Sequence, residues 1–143
     1  MNNLKLYFLF IIVSFLIISC GYIKSGTWEN DDKNWNRVYS YELPDSIELI
    51  HSWYQRSPHW TLEETFYFET KFNEVIKENF IESLIRIDST KYNRIEFLEN
   101  RPDWFVSKDL TNYEIWVAED EYDNFIFFID KSNKHLFWTD YQF

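Results

Sequence analysis

The sequence predicts an α+β fold, a mostly antiparallel sheet of about five to six strands with one main amphipathic helix. Three observations lead there. Residues 47–55 and 65–71 alternate with a period of two, residues 72–87 change to a period near four, and residues 113–141 hold three strand-like runs parted by polar turns.

Taken in chain order, Asn30 or Asp31 is placed to cap a short helix whose Trp35, Val38 and Tyr39 fall on one side at i, i+3, i+4. Residues 47–55 then read as a strand, with Ile47, Leu49, His51 and Trp53 on one face and Glu48, Ile50, Ser52 and Tyr54 on the other. The proline at 58 breaks it, and a second strand at 65–71, where Phe66 and Phe68 alternate with Tyr67 and Glu69, is expected to pair with the first. Across 72–87, Phe72, Ile76, Phe80 and Leu84 recur every four residues against a polar ladder of Glu74, Glu78, Glu82 and Arg86, which predicts the main helix, capped by Asn73. Glu82 and Arg86 are spaced as a favourable i,i+4 pair. A short strand at 92–98 and a proline-marked loop carrying Trp104 and Phe105 follow. The last third gives strands at 113–118, 124–130 and 135–141. Residues 125–129 are apolar on both faces, so that strand is expected at the centre of the sheet. The helix should cover one face and irregular aromatic segments the other.

The first twenty residues follow a different logic. Lys5 precedes an apolar run through Ile18, too short for the roughly 20 residues that a membrane-spanning helix needs. A charged start, an apolar middle and a small residue, Ser19, form the pattern of a secretory signal. The run ends in Ile17-Ile18-Ser19-Cys20-Gly21, which resembles the lipobox of bacterial lipoproteins. That resemblance implies removal of residues 1–19, lipid on the sulfur of Cys20, a tether over 20–26 and one globular domain over 27–143. Gly21, in place of the Asp that in such lipoproteins often signals inner-membrane retention, implies the outer membrane in a Gram-negative host. Gly26-Thr27-Trp28 is similar to the start of the mature part of small bacterial envelope lipoproteins, a likeness that carries no functional position across. One acyl chain attaches only marginally, so the two or three that such processing implies are what hold the protein at a membrane.

Cleavage would leave 124 residues with 13 basic and 24 acidic groups, a balance of −11. Such a surface repels a phosphate backbone, which argues against nucleic acid and leaves a basic protein or a neutral glycan as partner, while the competing reading is that acidity keeps an aromatic-rich chain soluble beside an anionic membrane. Glycine occurs only at 21 and 26, too sparsely for a phosphate-cradling loop or a dinucleotide fingerprint, so no nucleotide or other cofactor is expected. His-Glu-x-x-His, Cys-x-x-Cys and Gly-x-Ser-x-Gly are absent, and no metal site is predicted. The acidic run at 119–123 lacks the glycine and alternating ligands of a calcium loop and reads as a solvated turn.

The residual chemistry is a constellation of His51, Arg56, His59 and Glu69, which could converge at the end of the hairpin. A histidine beside a carboxylate serves as a general base or ligand because the acid fixes its tautomer. The competing reading makes His51, beside Leu49 and Trp53, a hydrogen-bonded core residue. Asp130, His135 and Asp140 form a second set, in which Asp130 is expected to do no more than open a turn. Trp60, Trp104 and Phe105 on loops are candidate binding aromatics. The leading expectation is a non-enzymatic envelope binding module. Its alternatives are an inhibitor or immunity lipoprotein against a basic toxin or cell-wall hydrolase, and an enzyme using His51, His59 and Glu69.

Overall fold

The computed structural model describes residues 25–57, 63–88, 101–107, 109–120 and 124–142, with Gln142 described by its backbone alone. The predicted signal segment, Cys20, His59, Trp60 and the predicted strand at 92–98 lie outside them. The described elements are β1 (Gly26–Glu29), α1 (Asn34–Tyr39), β2 (Leu49–Arg56), β3 (Glu64–Thr70), α2 (Glu74–Ile81), β4 (Leu84–Ile87), β5 (Tyr113–Ala118), β6 (Ile126–Asp130) and β7 (Leu136–Gln142). The strands make one sheet in the order β1-β2-β3-β7-β6-β5-β4, antiparallel at every neighbouring pair.

Two meanders compose this sheet. The first is β1-β2-β3 and the second is β4-β5-β6-β7, and they join along β3 and β7, where Glu64 to Thr70 run opposite Gln142 to Leu136. Bulky residues alternate through the seam. Phe66, Phe68, Leu136 and Trp138 point to one face, Tyr67 and Phe137 to the other.

The first face is covered by α1 and α2, which bring Trp35, Val38 and Tyr39, and Ile76, Phe80 and Ile81, onto Tyr54, Phe127 and Trp138. The Trp138 indole N–H donates to the Tyr39 hydroxyl at 2.7 Å, which satisfies a polar atom that burial would otherwise orphan. The second face is covered by the irregular segment around Trp104, Phe105, Val106 and Leu110, which packs on Tyr67, Ile115, Phe128 and Phe137. This division between helices and aromatic loop is the one expected from the sequence.

Three expectations change. Seven strands are described, more than the five to six predicted, because the sequence pattern predicts neither edge strand, β1 or β4. The main helix is half its predicted length. Asn73 caps it as expected, its Oδ1 accepting from the Ile76 N–H at 3.1 Å, but it ends at Ile81 and the chain re-enters the sheet as β4. Ser83, weak in helix interiors, and the β-branched Ile85 and Ile87 favour that exit, and pairing of Leu84–Ile87 with Ala118 to Ile115 completes it. Arg86 therefore approaches Glu114 at 3.6 Å, and the predicted pair with Glu82 does not form. Third, β6 is buried at every position, but β7 holds the middle of the sheet.

Polar side chains fix the first meander. Asn34 is fully buried and donates to the Trp28 carbonyl at 2.9 Å and the Ser52 hydroxyl at 3.1 Å, tying α1 to β1 and β2. Its Oδ1 accepts from Arg37, which also pairs with Asp31 at 2.9 Å and lies 4.6 Å from the centre of the Trp28 ring. Neither Asn30 nor Asp31 caps α1: Asp31 accepts from the Lys33 N–H in a turn just ahead of it, and Lys33 occupies the capping position. Gly26, expected in the tether, is the first residue of β1.

Candidate functional site

The geometry around Glu69 begins with an irregularity in β2. The register with β3 shifts between Leu49 and His51, so a bulge breaks the alternation there. Leu49 packs with the helix-covered cluster, whereas His51 and Trp53 face the loop-covered side. The expected common face of Leu49 and His51 is thus corrected, and His51 is placed directly opposite Glu69.

Glu69 comes from β3 and its side chain is 9% exposed. A buried carboxylate is costly unless donors surround it. His51 Nδ1 lies 2.7 Å from Oε2 and His135 Nδ1 lies 2.7 Å from Oε1, so each oxygen has an imidazole of its own. His135 stands just before β7, on the other flank of β3. The cluster therefore spans the seam between the two meanders. Trp104 closes it from the loop side, its ring stacked on His51 at 5.0 Å and 19°. The imidazoles are 37% and 26% exposed, so the rings are accessible although the carboxylate is not.

An ionised carboxylate can only accept, so an imidazole facing it donates its Nδ1–H, and when that ring is neutral it keeps a bare Nε2 on the side away from Glu69. The two Nδ1 atoms approach different oxygens from opposite flanks. Among the described residues no group of three or more His, Cys, Asp or Glu is arranged to hold a metal ion. What the arrangement offers is a pair of oriented, outward acceptors, each able to take a hydrogen bond or a proton.

The sequence-predicted residues divide accordingly. His51 and Glu69 come together. Arg56 does not join them, because β2 carries it five residues toward the hairpin end, roughly 16 Å of strand, where it pairs with Glu64. Phe105 is corrected from binding aromatic to core: it is 3% exposed and meets Tyr67, Phe128 and Phe137 with ring centres 4.9 to 5.9 Å apart. Trp104 is half-buried against His51. His59, Trp60 and Cys20 lie outside the described residues.

The second set comes apart. His135 belongs with Glu69, a partnership across 66 residues for which the sequence carries no local signal. Asp130 opens the turn as expected, its Oδ1 accepting from the Ser132 N–H at 2.7 Å and the Ser132 hydroxyl at 2.6 Å. Burial alone would raise the Asp130 carboxyl, but the bonds from Ser132 and Asn133 and the nearby His135 hold it below the usual carboxylate range. Asp140 is opposite Phe66, on the face of Trp138 and away from His135.

A separate cleft of about 370 Å³ lies where β4 ends and β5 begins, with Arg86, Asp88, Glu114 and Lys131 among its walls. Its cations are engaged, Arg86 beside Glu114 and Lys131 donating to the Thr111 carbonyl at 2.9 Å. Among the described residues no helix is long and apolar enough to cross a membrane. Comparison with protein-family models, with curated proteins and with solved structures finds no match for this chain.

Proposed function

We propose that the chain is a lipid-anchored envelope protein whose sheet domain is a non-enzymatic binding module. The observation that carries this reading is the segment from Lys5 to Cys20, in which the only cysteine of the chain follows an apolar run at the place where lipidation would use it. β1 begins at Gly26, so the domain would ride within roughly 20 Å of its lipid even with the connecting residues fully extended. Any partner would be met at the membrane surface. The formal charge of −10 over the whole chain favours a basic one, and the outer membrane is the site the Gly21 signal favours in a Gram-negative cell.

The narrower form of this reading is an inhibitor or immunity lipoprotein acting on a basic toxin or cell-wall hydrolase. The competing form is an enzyme using His51, His59 and Glu69. Labelling cells with radioactive palmitate and fractionating their envelopes tests the anchor: the wild-type chain should carry label in the membrane fraction, and Cys20→Ala should lose both. Label retained by the variant would overturn the anchor. Capture of a basic protein from detergent-solubilised envelopes is the expected result for the binding module, and loss of a cellular phenotype in a His51→Ala, His59→Ala double variant that still captures that protein would favour the enzyme.

A further inference from the structure

We propose that the His51–Glu69–His135 patch is where the domain receives an arginine side chain of a basic protein partner. The inference rests on the binding-module reading and names the chemistry that would be recognised there. Glu69 takes one imidazole on each oxygen, so against the ionised carboxylate both rings turn Nδ1–H inward, and a neutral ring then presents its Nε2 lone pair on the far side. In their neutral form two protein elements thus present acceptors at the same surface. Asp130, held in its ionised form by Ser132, lies near His135 and adds negative charge.

Arginine is the side chain that fits this pattern. Its guanidinium has five N–H donors and no acceptor, is always charged, and stacks on aromatic planes. The Trp104 ring stacked on His51 supplies such planes, and Trp104 is fixed by its contact with Phe105. Because both imidazoles are already bound to a buried carboxylate, little side-chain freedom remains to be lost on association. A lysine offers a point charge without the planar fork. A sugar hydroxyl brings neither a charge nor a planar fork of donors.

The test uses the ¹⁵N-labelled full chain in detergent, with triarginine, tricitrulline and an N-acetylglucosamine trimer as probes. Long-range ¹H–¹⁵N spectra of the histidine side chains should first show His51 and His135 as Nδ1–H tautomers. Triarginine should then move both Nε2 resonances with a single affinity, at least tenfold tighter than tricitrulline. His135→Gln, on an exposed turn, should weaken binding about tenfold, and Glu69→Gln should abolish the preference for arginine over citrulline. Nε2–H tautomers in the free protein, unmoved Nε2 resonances while other acidic surfaces respond, or a stronger response to the sugar would each overturn the proposal. Capture of a basic envelope protein together with silent imidazoles would overturn it too while leaving the binding module standing.

Discussion

The two meanders are stabilised by different means. In β1-β2-β3 the fixing contacts are polar and specific: Asn34 bridges two strands, Arg37 clamps Asp31 and Trp28, and Asn30 exchanges hydrogen bonds with Ser52. In β4-β5-β6-β7 the fixing contacts are apolar, and β6 is buried at all its positions between aromatic clusters on both faces. The difference teaches that the first half is defined by geometry at its edge and the second by volume at its centre. The site occurs where they meet, with Glu69 from one half and His135 from the other.

This contrast can be broken at graded cost. Trp138→Ala empties a fully buried position on β7 and strands the Tyr39 hydroxyl, so urea unfolding should show a loss of about 3–5 kcal/mol. Asn34→Ala deletes the bridge from α1 to β1 and β2 and should cost about 2 kcal/mol. Hydrogen exchange should localise that loss, with β1 amides exchanging faster and β6 amides unchanged relative to global stability. Glu69→Gln leaves a single acceptor oxygen for two Nδ1–H donors, so about 1 kcal/mol should be lost, with exchange rising on both sides of the β3/β7 seam.

One further effect appears only in alkali. Burial pushes the Tyr54 hydroxyl up to about 12, with Glu64 adding to the rise. A folded-state value above the unfolded one of 10 means that Tyr54 contributes stability below pH 10 that is lost as pH climbs toward 12. Tyr54→Phe should lessen the fall of the urea midpoint across that window, the rest belonging to Tyr39 and Tyr67, whose hydroxyls burial also raises, and an unchanged slope would assign the whole loss to other groups.

How much of this was legible in the sequence depends on whether the cause was local. The strand at 113–118 was read with its true bounds, since alternation and turn residues mark both ends. The helix overran because Leu84 packs in the same cluster as Phe80, so the four-residue spacing continues after the backbone has become a strand. β1 gave no pattern, as only Trp28 of its four residues packs inward as a large apolar side chain. The bulge that turns His51 toward Glu69 depends on pairing, and so does the approach of His135; neither leaves a spacing to read. Phe105 and Trp104 look alike in a proline-marked loop, and only the sheet beneath decides which is core.

The seam has a kinetic consequence. β7 is seventh in sequence and fourth in space, and it meets β3 through contacts such as Thr139 Oγ1 to the Phe66 carbonyl at 2.6 Å, 73 residues apart. Closing so long a loop is entropically unfavourable before any contact rewards it, and sheets dominated by such pairings fold on the slow millisecond-to-second scale. The first meander is complete in sequence well before β7, and until β7 arrives the edge of β3 stands open with Phe66 and Phe68 uncovered on one side. An open strand edge of that kind invites pairing with other chains. The step that assembles the Glu69 cluster is therefore also the step that closes the open edge of β3.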